Sequence, residues 1–177
     1  MTVKSALLWS LCFAFLSESH AADATKPQDH ATAVTGYTLS LDQASRLIEA
    51  ASTAARARRL AMSFAVVDPG GHLIAAARMD GAPFASVDFA RGKAFASVAL
   101  GGQSGATLEQ RFKDDPSEYS NMSGAGYYAP FLPGRGSFPV FVDGHLVGAV
   151  GAGGAPSEID EEVIKRAIEG IGATTVR

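Results

Sequence analysis

The sequence predicts an α/β (α+β) fold: an antiparallel sheet of four to five strands covered by helices. Three observations predict it. Val67-Asp68-Pro69-Gly70-Gly71-His72-Leu73-Ile74 is echoed by Val142-Asp143-Gly144-His145-Leu146-Val147, each an apolar run, a glycine turn and a second apolar run. Such turns supply the positive backbone angles of tight hairpins between β-branched and apolar flanks. Helical periodicity brackets both phrases, and the order helix, hairpin, helices, hairpin, helix excludes a parallel βαβ array.

The first 21 residues read as a signal peptide. Lys4 gives a short positive start, Ala6 to Leu16 is apolar except for Ser10, and Ser19-His20-Ala21 places small residues at the −3 and −1 positions of a cleavage site. An uncleaved anchor is the competing reading, but the apolar run is short of the roughly 18–20 residues that span a bilayer. The sequence therefore predicts export to the periplasm or secretion, with no membrane association after cleavage before Ala22. Cleavage removes Lys4 and Glu18 together, so the net charge stays at −3, and it removes the single cysteine, Cys12. No thiol chemistry or disulfide remains in an oxidising compartment. A mildly acidic balance without a basic run argues against nucleic acid.

Residues 22–36 show no period and read as a flexible leader, and 37–177 as one domain. Ser40 with Gln43 forms a capping-box pattern ahead of Leu41, Ala44, Leu47, Ile48, Ala51 and Ala55 at helical spacing. Arg56, Arg58 and Arg59 end that helix, where its dipole favours cations. Met62–Asp68 and His72–Arg78 make the first hairpin. Ser86 or Asp88 is positioned to cap a helix carrying Val87, Ala90, Ala94, Phe95 and Val98. A short helix over Thr107–Lys113 follows, then an aperiodic loop over Asp114–Gly136, of a length that is usually functional or mobile. Ser137–Val142 and His145–Gly151 form the second hairpin, and Pro139 places its first strand at a sheet edge. The last helix opens at Ser157 with four carboxylates in its first turn and closes at Gly170 and Gly172.

Five segments together resemble the GlcG/HbpS heme-binding family, which includes the C-terminal domain of some corrinoid adenosyltransferases. They are Val66–Leu73, Arg78-Met79-Asp80-Gly81-Ala82, Ala90-x-x-Lys93-Ala94, Asp143-Gly144-x-x-x-Gly148-Ala149-Val150-Gly151, and Asp160-Glu161. They run in the right order from about Leu39 to Gly172. The resemblance implies a profilin-like sandwich, a tendency to symmetric homo-oligomers, and heme as cofactor; it implies no settled reaction. Where relatives commonly read Gly-Val-Ser-Gly, this chain has Gly151-Ala152-Gly153-Gly154, so a hydroxyl contact does not transfer.

Heme needs an apolar slot, an iron ligand and cations for its propionates. His72 and His145 are the candidate metal ligands, both after hairpin turns, where an exposed turn-flanking role is the commoner one. Met79 and Met122 are further donors, and His30 lies in the leader. Tyr127 and Tyr128, beside Phe131, either line a heme face or pin the loop to the core. Arg78, Asp80 and Lys93 are expected to share a pocket rim and hold a propionate or small carboxylate, the bland alternative being an Arg-Asp pair that locks the turn.

Other chemistries fit less well. Gly151–Gly154 misses the phosphate-loop spacings and precedes a carboxylate-rich turn. Gly102-Gln103-Ser104-Gly105-Ala106 lacks the nucleophile-elbow pattern, and no zinc spacing occurs. Asp115-x-x-Glu118 and Glu158-x-x-Glu161 are weak cation candidates that solvated charge explains as well. The expectation is an exported heme-binding or heme-handling protein, a binding protein before an enzyme. The alternative is an enzyme or accessory factor that uses the cationic rim on small hydroxy or keto acids.

Overall fold

The computed structural model describes residues 37–123 and 126–177. The expected signal peptide and leader, with His30, lie outside the described residues. Within them the order is α1 (Leu41–Ala57), β1 (Ser63–Val67), β2 (Leu73–Arg78), α2 (Ser86–Ala99), α3 (Gly105–Asp114), α4 (Pro116–Ser123), β3 (Ser137–Val142), β4 (His145–Gly153) and α5 (Ser157–Gly170). The four strands form one antiparallel sheet in the order β2-β1-β4-β3. The expected fold class is what forms. In place of a fifth strand, Thr174 makes an isolated antiparallel bridge to Phe141 and covers part of the β3 edge.

Local chemistry sets most element ends. The Ser40 side chain accepts from the Gln43 amide while Gln43 accepts from the Ser40 amide, the reciprocal box read from the sequence. Asp143 (φ 50°) and Gly144 (φ 77°) both take left-handed angles, as a two-residue turn between twisted strands requires. Pro139 lies on β3, an edge strand, where its missing amide costs the ladder least.

Three expectations needed correction. Helix α2 begins after Ala85 with no side-chain cap; the Ser86 hydroxyl instead donates to the Pro83 carbonyl and contacts the Ser63 hydroxyl. Helix α3 starts two residues earlier than expected, because the Ser104 side chain accepts from the Thr107 amide. The supposed loop contains α4, started by Asp115, which accepts from the Ser117 hydroxyl and the Glu118 amide. Eight residues carry too few apolar positions to show a period against neighbouring loops.

The sheet separates two layers. Phe64, Val66, Val150 and Ala152 face α1 and α5, where they join Leu47, Val163, Ile164 and Ile168 in the main core. On the other face Val67 and Ala149 pack against Ala94 and Val98 of α2. The Gly151–Gly153 stretch explains how close α2 comes. A Cβ at Gly151 would lie 2.1 Å from the Ala90 carbonyl oxygen, and one at Gly153 2.7 Å from that of Ser86. These glycines therefore serve backbone packing against α2, not a phosphate.

Helix α2 covers β1 and β4 but scarcely reaches β2. In an antiparallel pair, directly opposed residues point to the same face. Leu73, Ala76 and Arg78 oppose Val67, Ala65 and Ser63, so they share the α2 side of the sheet. All three are exposed, although their partners on β1 are buried. The outcome is an exposed strand face beside α2 that carries Leu73, Ala76 and, at its far end, Arg78.

Candidate functional site

Register places the two histidines at one end of the sheet. Val67 pairs with both Leu73 and Ala149, and Val142 pairs with His145, so both hairpin turns project the same way. Their surroundings differ. The backbone amide of His72 donates to Asp68 Oδ1 at 2.9 Å, and Nδ1 of its ring lies 3.3 Å from Asp68 Oδ2. One face of the ring stacks on Tyr128, with centroids 5.2 Å apart and planes within 15°. His72 remains 70% exposed at its side chain. His145 makes a tilted ring contact with the exposed Tyr37, at 3.9 Å between centroids.

Tyr128 is fixed in turn. Its hydroxyl donates to the Gly70 carbonyl, and its ring meets Phe95 edge-on at 5.3 Å. Tyr127 contacts Phe95 at 5.5 Å and Phe131 at 5.3 Å. Gly71 is buried beneath this cluster with φ 83°, and a Cβ there would sit 2.6 Å from Phe95 and 2.9 Å from the Tyr128 hydroxyl. Farther along, the chain crosses α2 at Gly92, whose carbonyl accepts from the Leu132 amide at 3.2 Å. Gly92 permits that crossing, since its Cβ would lie 3.0 Å from Leu132 and 3.2 Å from Pro130. The structure thus brings His72, Tyr127 and Tyr128 together, and both tyrosines remain partly exposed.

The expected rim does not assemble. Arg78 ends β2 and donates to the Ala82 carbonyl at 3.0 Å. Asp80 is exposed and forms no ion pair with it. Lys93 is buried elsewhere, with Nζ 2.9 Å from Asp160 Oδ2. That ammonium abuts Gly136, which leads into β3. Arg78 stands on β2, at the opposite edge of the sheet. Three strand spacings of about 4.8 Å separate those edges. Sequence proximity between positions 78 and 93 misled because α2 turns its Lys93 side toward β3.

Around Lys93 the charge is balanced internally. Burial pushes the Asp160 carboxyl above its ordinary value while Lys93 pulls it down, and the net direction is up. Among the described residues, Asp160 Oδ1 and the hydroxyl of buried Ser137 meet no side-chain or backbone hydrogen-bond partner. The Asp115 and Glu118 carboxylates serve the α4 cap and Arg111, and Glu158 and Glu161 face Arg135. No cluster of three or more metal-ligating His, Cys, Asp or Glu side chains occurs among the described residues. A cleft of about 370 Å³ bordered by Gly102, Ser104, Phe141 and Arg177 includes none of the expected site residues.

Two features of the site escaped the sequence reading. Asp68 was visible only as a turn residue, although its position four before His72 across a glycine turn is the signal for a side-chain bond back to the loop. The open face of β2 had no sequence signal, because Leu-Ile-Ala-Ala-Ala-Arg does not show which strand α2 leaves uncovered.

Comparison with known proteins agrees with this architecture. A family model described as "Haem degrading protein HbpS-like" matches residues 39–169. Protein GlcG of Escherichia coli K12 is 33% identical over 114 residues, covering 64% of this chain and 79% of that protein. The crystal structure of HbpS superposes with a TM-score of 0.67 at 30% identity, over 80% of this chain and 94% of that one. A PduOC:heme complex superposes with a TM-score of 0.69 at 24% identity, over 79% of this chain and 99% of the other, which bears on fold alone. The match over most of the chain and the shared sandwich lead to one conclusion: this chain belongs to the HbpS-like family.

Proposed function

We propose that this protein is exported and binds heme on the open α2-side face of β2, with His72 as the iron ligand. The observation that carries the reading is an exposed imidazole, braced by Asp68 and Tyr128, at the head of an uncovered strand face. That face offers Leu73 (45% exposed) and Ala76, and Phe89 on the adjoining helix is 53% exposed. An apolar surface and one nitrogen donor supply two of the three features that heme asks for. Membership of a family described as heme-degrading and HbpS-like supports the same ligand.

The residues divide the work. His72 would hold the iron, Leu73 and Ala76 would lie under the porphyrin, and Tyr127 and Tyr128 would border it near the turn. Bound heme would supply a redox-active iron centre. Arg78 stands at the far end of the strand from His72, about 20 Å away at ~3.3 Å per residue, so it is not in reach of the same iron. A small carboxylate is the ligand it suits best. A second copy of the chain against the same strand face would complete the enclosure of the ligand, in keeping with the expected homo-oligomer.

Heme titration of the purified protein, followed by Soret absorption with mass by light scattering, tests this. A saturable shifted Soret band at a fixed ratio, lost in His72→Ala and retained in His145→Ala, is the expected result. An unchanged spectrum in His72→Ala overturns His72 as ligand. No shift beyond a nonspecific control overturns heme itself and makes small hydroxy and keto acids the next ligands to screen.

A further inference from the structure

The geometry points to Asp68 as the residue that positions and electronically tunes His72, an inference that rests on His72 being the iron ligand. Asp68 uses its two oxygens for different tasks. Oδ1 accepts from the His72 amide at 2.9 Å and closes the turn, while Oδ2 faces His72 Nδ1 at 3.3 Å. Facing a carboxylate, Nδ1 is the nitrogen that keeps its proton, which leaves the Nε2 lone pair directed away from the turn. Tyr128 stacks on the ring and restrains its tilt, and the Tyr128 hydroxyl is itself bound to Gly70 in that turn. The ring is therefore held in its own plane by Asp68 and from one face by Tyr128, while the side chain stays 70% exposed.

This arrangement has a consequence beyond orientation. A carboxylate accepting the Nδ1 proton makes the imidazole a stronger donor to a metal, and losing such a partner typically weakens metal affinity by about 10–100-fold. Stronger donation stabilises ferric over ferrous iron. Asp68 thus favours the ferric complex, a property that turn closure alone would not give.

The deciding comparison is between Asp68→Asn and Asp68→Ala, with His72→Ala as control. Asn retains an oxygen for the His72 amide, so the turn should survive and the melting temperature should stay near wild type. Its other group is an amide donor, which cannot accept from Nδ1–H. With hemin as the probe, Asp68→Asn should bind at least about tenfold more weakly, with a higher midpoint potential and a lower iron–imidazole stretching frequency in the ferrous state. Asp68→Ala should show the same spectroscopic change plus a loss of stability. If His72→Ala alters the heme spectrum but Asp68→Asn leaves potential and stretching frequency unchanged, Asp68 is only a turn residue and the inference fails. If His72→Ala leaves the spectrum unchanged, the ligand assignment fails first.

Discussion

Lys93 and Asp160, 67 residues apart, meet at 2.9 Å in the interior and clamp α2 on one face of the sheet to α5 on the other. Their side chains are 10% and 1% exposed. The contact passes the β3 edge at Gly136, whose Cβ would lie 2.7 Å from Lys93 Nζ and 2.9 Å from Asp160 Cβ. Glycine at 136 is thus required by the pair, and the left-handed φ of 99° reinforces that requirement.

Removing one member of this pair strands the other charge away from water. Asp160→Ala or Lys93→Met alone should lower stability by about 3–5 kcal/mol in urea melts. The double variant Lys93→Met with Asp160→Leu should regain most of that loss, because two apolar side chains leave no uncompensated charge. A double variant as unstable as the worse single one would contradict this account.

Acid stability should carry the signature of Glu162. The Arg58 guanidinium at the end of α1 holds the Glu162 carboxyl on α5 below its ordinary 4.5. A depressed folded-state value means that stabilisation is present above the ordinary value and is lost as pH falls through the folded one. Glu162→Gln should therefore flatten the acid side of a melting-temperature profile, and the two curves should converge below the folded value. Asp160 acts in the opposite sense. Its raised value gives a contribution present below its ordinary 3.8 and lost as pH rises through the folded value.

Gly71 tests whether the aromatic cluster fixes the turn. Gly71→Ala forces a side chain into φ 83° and places a Cβ 2.6 Å from Phe95. A loss of at least about 1–3 kcal/mol is expected, together with weaker heme binding as Tyr128 and His72 shift. Gly144→Ala, also at positive φ but with nothing within 4 Å, should cost less and spare heme binding.

Ala76 separates ligand binding from folding. It is exposed on β2 and points to the α2 side of the sheet. Ala76→Glu should change stability by no more than about 0.5 kcal/mol while placing a carboxylate under the porphyrin. Heme affinity should fall at least about tenfold, a cost of roughly 1.4 kcal/mol, by Soret titration. Undiminished affinity would move the heme off this strand face.

The sequence by itself determined what is encoded within a few residues. The Ser40–Gln43 box, the Asp143-Gly144 turn, the Pro139 edge strand and the start of α5 at Ser157 each depend on hydrogen bonds or backbone angles spanning at most about four positions. The resemblance carried by Val66–Leu73 and Asp143–Gly151 extended that reading to the family. Tertiary structure alone decided the site. Lys93 left the expected rim because its partner, Asp160, lies in a helix on the other layer, and helical periodicity does not encode that pairing. His72 gained Tyr128 because a segment more than fifty residues later crosses α2 at Gly92. The face of β2 stayed exposed because α2 settled over β1 and β4. Such contacts depend on how preformed elements stack, which is set by the fit of distant surfaces and not by any local pattern.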